Sequence, residues 1–178
     1  GAYENTVNDA TIDSLKRWLR GGGTLVLSGR AIPWAAKKEL AALELAPADA
    51  VAVPAGKEST QPAAAPVRQP YGHAADHEAQ KLVAGAIFAV SIDPTHPLGY
   101  GFKRGQLALC RTHTRILKPA KSPYATPAVY TAAPLLSGYA SEANQRLIAN
   151  SAAAVAQPVG KGAVVALDRT GRLPETPS

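Results

Sequence analysis

Apolar positions along this chain recur at two periods, and the switches between them mark its elements. In "NDATIDSLKRWLRGGGTLVLSGRA", Ile12, Leu15, Trp18 and Leu19 fall at helical spacing. Asp9 suits the N-cap, and Lys16, Arg17 and Arg20 lie near the C-terminal end, where cations complement the helix dipole. The three glycines at 21–23 end the helix, because glycine takes the left-handed conformation cheaply. "TLVLSG" then predicts a short, continuously apolar strand. Such a strand after a helix points to a parallel sheet covered on both faces, one half of an α/β unit. "AIPWAAKKELAALEL" predicts a second helix from Pro33, with proline at its first position.

Residues 46–70 are rich in alanine and proline and read as an excursion without a core of its own, the greater part of a mobile insertion over 46–80. Strands are predicted over 86–92, in "QLALCR" and "TRILK" around a turn at 112–114, and in "AVYTA". A short helix follows, capped by Ser141. "AAAVAQPV" and "GAVVALD" form a hairpin around Gly-Lys-Gly, and 169–178 is a tail. In "LKPAKSPYATPAVYTAAPLLSGYAS", Pro119, Pro123, Pro127 and Pro134 bias the preceding residues to extended geometry. The stretch therefore predicts a rigid connector around one strand, with Lys118, Lys121 and Tyr124 exposed as binding candidates.

Composition narrows the class. The 178 residues fit one domain over 1–178, and 46% apolar content supplies a core. The net charge of +6 comes from scattered Lys and Arg with no run of five, so no nucleic-acid partner is expected. The single cysteine, Cys110, excludes an internal disulfide. No apolar run approaches the roughly 20 residues of a membrane span, and no signal segment opens the sequence. An opening Gly1 and the absence of Met read as a segment excised from a longer chain.

Candidate chemistry is sparse. "HAADHE" holds His73 and His77 at i, i+4, but Ala74 stands where a zincin has its Glu, so the segment reads as a polar helix start. His96, between two prolines, reads as the anchor of a turn, with a ligand role or a hydrolytic pairing with Asp93 or Cys110 as the alternative. Cys110 lies within an apolar strand without a nucleophile elbow and reads as inert. The glycines at 21–23 follow a helix and precede a strand, the reverse of a phosphate loop. Arg30, just past a strand, is the one residue there able to grip an anion. Tyr71, Tyr100, Tyr124 and Tyr139 are candidate stacking groups for a glycan or small molecule.

Three stretches in order, "WLRGGGTLVLSGRAIPWA", "AGAIFAVSIDPTHPLGYGF" and the run from "ILKPAKSPYATPAVYT" to "PVGKGAVV", resemble a known domain. It is the class I glutamine amidotransferase-like domain that follows the catalytic domain in some bacterial zinc carboxypeptidases. The resemblance covers about Asp9 to Leu167. It implies a flavodoxin-like three-layer sandwich with a mainly parallel sheet, lacking its N-terminal strand–helix portion. The family's Cys elbow with a later His–Glu pair is absent, and no histidine matches a carboxypeptidase zinc ligand. The resemblance thus implies a non-catalytic accessory domain, periplasmic or secreted, whose partners are a peptidase domain of the same polypeptide and a peptide or cell-wall substrate. Zinc is expected only in that peptidase domain, and ligand-binding candidates here are Arg30, His96, Tyr100, Lys118, Lys121 and Tyr124.

Overall fold

A computed structural model describes residues 7–46, 70, 72, 83 and 85–168. The chain runs α1 (Asp9–Arg20), β1 (Thr24–Ser28), α2 (Ala31–Lys37), β2 (Leu45–Ala46), β3 (Ala86–Ile92), a 3₁₀ turn (Pro97–Gly99), β4 (Gln106–Arg111), β5 (Ile116–Leu117), β6 (Ala128–Ser137), α3 (Glu142–Ile148), β7 (Ala152–Val159) and β8 (Gly162–Leu167). Asn8, not Asp9, caps α1: its side chain accepts from the Thr11 N–H at 2.8 Å, and Asp9 sits in the first turn. α2 is shorter than its apolar pattern predicts. Pro33 falls in its first turn, where no N–H is needed, and Glu39 at φ 53° turns the chain away two residues past the helix.

Six strands form one mixed sheet in the order β1-β8-β7-β6-β3-β4, and β2 pairs with β5 in a separate two-stranded sheet. Only β1 and β8 run parallel, from Thr24↔Ala163 to Ser28↔Leu167; the other pairs are antiparallel. This overturns the expected flavodoxin-like, mainly parallel amidotransferase sandwich: the sheet is a strongly curled half-barrel with few helices. The reason is local. β7 and β8 are joined by a two-residue turn with Gly160 at φ 62°, which joins antiparallel neighbours, and the 13-residue loop between β3 and β4 holds only a three-residue 3₁₀ turn and not the helix of a parallel crossover. The three described helices, two of them seven residues long, are too few to sheathe both faces.

The curl also has a local source. Between Val90↔Tyr130 and Phe88↔Leu135, residues 131–134 of β6 stand opposite Ala89 alone. Such bulges bend a strand and increase its twist, and this one accommodates Pro134, which has no N–H for a ladder. Further register shifts lie between Ile87 and Phe88 against β6 and between Ala128 and Val129 against β7. One core cluster packs α1 and α2 on the sheet through Ile12, Leu19, Ile32, Ala35, Val164 and Ala166. The other gathers Phe88, Val90, Leu109, Tyr130 and Ile148. Tyr71, the "HAADHE" segment, the 169–178 tail and nearly all of the 46–80 insertion lie outside the described residues.

The approach of β8 to the end of α1 requires glycine at 162. A Cβ there would fall on the carbonyl oxygens of Leu19 and Gly23, and 3.0 Å from the Gly23 nitrogen. These are backbone atoms inside a core contact and cannot step aside. Gly162→Ala is expected to cost about 1–3 kcal/mol in urea unfolding. Gly105→Ala, whose Cβ would meet only the Ile92 oxygen at 3.7 Å, is expected to stay within about 0.5 kcal/mol of the parent.

Candidate functional site

The concave side of the curled sheet holds an apolar groove of about 470 Å³. By the two-residue period of a strand, β4 presents Leu107 and Leu109 to it, and β8 presents Val165 and Leu167. Val26 of the edge strand β1 forms one wall and is 60% exposed. Leu98 and Phe102, from the loop between β3 and β4, form another and are exposed as well. The volume lies in the usual range of small-ligand pockets. A depression of about 500 Å³ between the end of α2 and β7 is shallower and carries fewer apolar walls.

Arg111, next after Leu107 and Leu109 on the same face of β4, is fully buried. It forms an ion pair with Asp168, which follows β8 and is 1% exposed. β8 and β4 are four inter-strand steps apart in the sheet order. In a flat sheet those steps would span roughly 19 Å, so the pair can form only across a curled one. The remaining Arg111 donors fasten the following turn: Nε donates to the His113 carbonyl at 2.9 Å, and an Nη donates to the Arg115 carbonyl. The guanidinium lies 5.3 Å from the centroid of the Tyr130 ring, within cation–π range. Tyr130 Oη donates to the Asp168 carbonyl at 2.9 Å, and Phe88 meets its ring edge-on at 6.0 Å.

Burial dominates the titration of this cluster. It pushes the Asp168 carboxyl up to about 6, against the opposing pull of Arg111 and Arg115. It holds His113 down at about 3, with Arg111 and Arg115 pressing the same way. It pushes the Tyr130 phenol up to about 12, reinforced by Asp168, and lowers the Arg115 guanidinium from its ordinary value. His113 Nε2 lies 3.4 Å from Asp168 Oδ1, but a neutral imidazole makes this a polar approach and not an ion pair. Neither ring nitrogen of His113 has a hydrogen-bond partner among the described residues, so no hydroxyl or thiol stands in position to be activated by it.

The six sequence candidates are spread over three segments. Arg30 follows β1 and is exposed. His96 Nδ1 accepts from the Leu98 N–H at 3.1 Å and so fixes the 3₁₀ turn. Asp93 is occupied by Thr95, whose N–H and hydroxyl donate to Oδ1 at 2.8 and 2.6 Å and hold the carboxyl below its ordinary value. Tyr100 lies exposed on the same loop. On the connector before β6, the Lys118 N–H donates to the Glu44 carbonyl at 2.9 Å, Lys121 pairs with the Glu44 carboxylate at 3.1 Å, and Tyr124 is exposed. No hydrogen bond or ion pair joins these three segments' candidate side chains among the described residues. Sequence reasoning missed Arg111, His113, Arg115, Tyr130 and Asp168. One signal was available: in "QLALCR" the two-residue period puts Arg111 on the face of Leu107 and Leu109.

Among the described residues no group of three or more His, Cys, Asp or Glu is placed to hold a metal ion, and no helix is long and apolar enough to cross a membrane. No family model, curated protein or solved structure matches this chain.

Two outcomes test the cluster. Arg111→Met strands a buried carboxylate and is expected to cost about 3–5 kcal/mol near neutral pH. Arg111→Met with Asp168→Leu, which removes both charges, should recover most of that loss; equal losses in the single and double variants would refute the coupling. The second outcome concerns pH. Between about 6.5 and 3 the unfolded chain protonates His113 and the folded chain does not, so this group's contribution falls as pH drops. Asp168 acts oppositely: the folded chain holds its proton up to about 6, so its contribution is present at low pH and is lost as pH rises through 6. His113→Gln leaves only the second effect. Its urea midpoint relative to the parent's should therefore be higher at about pH 5 than at about pH 7.5.

Proposed function

We propose that this chain is a non-catalytic binding domain, accessory to a peptidase domain elsewhere in its parent polypeptide, that holds apolar side chains of a peptide substrate in the concave groove. The observation that carries the reading is the groove: about 470 Å³, walled almost wholly by aliphatic side chains and Phe102, and open to solvent beside Val26. Apolar walls of this kind favour ligands by water release and offer no group for bond cleavage. The link to a zinc carboxypeptidase, and with it a periplasmic or secreted setting, rests on the sequence resemblance alone and does not include the amidotransferase-type fold. In this reading zinc belongs to the peptidase domain. A glycan-binding reading has less support, because none of the described tyrosines lines the groove. A hydrolase centred on His96 has less support too, because that imidazole is committed to its own turn.

Calorimetric titration with short peptides ending in Leu or Phe, against matched peptides ending in Asp, tests the reading. Peptides with apolar ends are expected to bind at micromolar to millimolar strength. Val26→Lys, which brings a charge to the wall, should weaken them by about tenfold or more. Val26 is largely exposed, so this variant should unfold within a degree or two of the parent. Binding that ignores both the peptide end and Val26→Lys would rule the groove out.

A further inference from the structure

We propose that Arg30 and Arg115, converging beside the Arg111–Asp168 pair, form a binding site for a small oxyanion, a carboxylate or a phosphate group, at the carboxyl ends of β1 and β8. Topology makes the convergence. Ser28 ends β1 level with Leu167 at the end of β8, so Arg30 and Asp168 leave the sheet side by side. Arg115 reaches the same place by another route. Arg111 holds Asp168 with one guanidinium nitrogen and the Arg115 carbonyl with another, which draws the 112–115 turn onto the end of β8.

The charges gathered there do not balance. Arg111 and Arg115 both act on the single carboxylate of Asp168, Arg30 acts as a like charge on Arg115, and His113, from the same turn, is neutral. Asp168 Oδ2 is committed to Arg111, and Oδ1, 3.4 Å from His113 Nε2, is buried without a hydrogen-bond partner among the described residues. Arg30 and Arg115 form no ion pair within 4 Å among the described residues. Arg115 is half-buried, and its Nε–H is shielded from water without a hydrogen-bond partner; both ring nitrogens of His113 are in the same condition. A buried donor left unmade is costly, and the like charge of exposed Arg30 bears on half-buried Arg115. A carboxylate or phosphate would relieve both penalties at once. The flat fork of a guanidinium offers paired N–H groups at the spacing of two oxyanion oxygens, and His113 can add one N–H more. The site requires nothing of the apolar groove and stands whether or not the groove binds peptides.

The test titrates the protein with sodium phosphate and, separately, sodium acetate, each against sodium chloride at constant ionic strength. Two readouts are followed: the thermal midpoint and the Nε–H resonance of Arg115. A saturable rise of a few degrees with either anion, together with a shift of that resonance, is the expected result. Response to phosphate alone identifies a phosphoryl ligand, response to acetate alone a carboxylate, and either supports the site. Arg30→Gln and Arg115→Gln should each weaken the response about tenfold. Arg30 is exposed, so its variant decides the matter even if Arg115→Gln fails to fold. In chloride, Arg30→Gln should leave the midpoint unchanged or higher, because it removes only repulsion. Two results would overturn the proposal: neither anion acting beyond chloride up to about 50 mM, or Arg30→Gln responding as the parent does.

Discussion

A guanidinium and a carboxylate meet inside this fold from strands four places apart in one sheet. Taking both from water costs several kcal/mol for each ion, and their attraction offsets that cost only with good geometry and with the remaining donors satisfied. Each Arg111 nitrogen has a partner, whereas Asp168 Oδ1 has none among the described residues. The other nitrogens of Arg111 bind the carbonyls of His113 and Arg115, and its face lies over Tyr130. Tyr130 in turn donates to the Asp168 backbone. One side chain therefore ties the end of β4, the turn that follows it and the end of β8 into a single unit. A flatter sheet would separate the ions and strand each in a low-dielectric interior.

The curl that the ion pair needs also makes the groove. Bulges in β6 bend the middle of the sheet, and the pair holds its two sides toward each other. The convex side is covered by α1 and α2, and their burial of Ile12, Leu19, Ile32 and Ala35 against β8 supplies apolar stabilisation there. The concave side is only partly filled. Phe88, Val90 and Tyr130 pack its depth, whereas Val26, Leu98 and Phe102 remain at the surface around the opening. Structure and binding surface are thus two consequences of one deformation.

Most of the elements were legible in the sequence; their pairing was not. The periodicity of Ile12, Leu15 and Leu19, the cap at Ser141, and the Gly-Lys-Gly turn at 160–162 are local signals, and each element they predict is present. A strand's partner is not a local property. "TLVLS" has the same apolar run whether its neighbours are parallel or antiparallel, and its actual partner, β8, begins at Gly162, well over a hundred residues later. The helix-then-strand order of α1 and β1 suggested an α/β repeat, but the next strand of the sheet, β3, joins β6 and β4 in a meander-like region with no crossover helix. The site divides in the same way. Arg30 was visible because it follows an apolar strand. Arg115 and Asp168 acquire meaning only once the curl brings the ends of β4 and β8 together.

Acid–base enzymes are commonly recognised by carboxyls held high and imidazoles held low in one cleft, and Asp168 and His113 have that signature. Here its cause is architectural. Asp168 is high because it is buried, and Arg111 counteracts that shift, whereas a catalytic acid is tuned toward its substrate. His113 is low because the turn carrying it is drawn inward by Arg111 and lies among guanidinium groups. No described hydroxyl or thiol reaches its ring. Both shifts would exist in a protein that only needed to hold a half-barrel closed. What architecture alone does not require is the further pair of arginines. Arg30 and Arg115 add charge of one sign beside a carboxylate that Arg111 already pairs through one oxygen, and a group of the opposite sign would balance that excess.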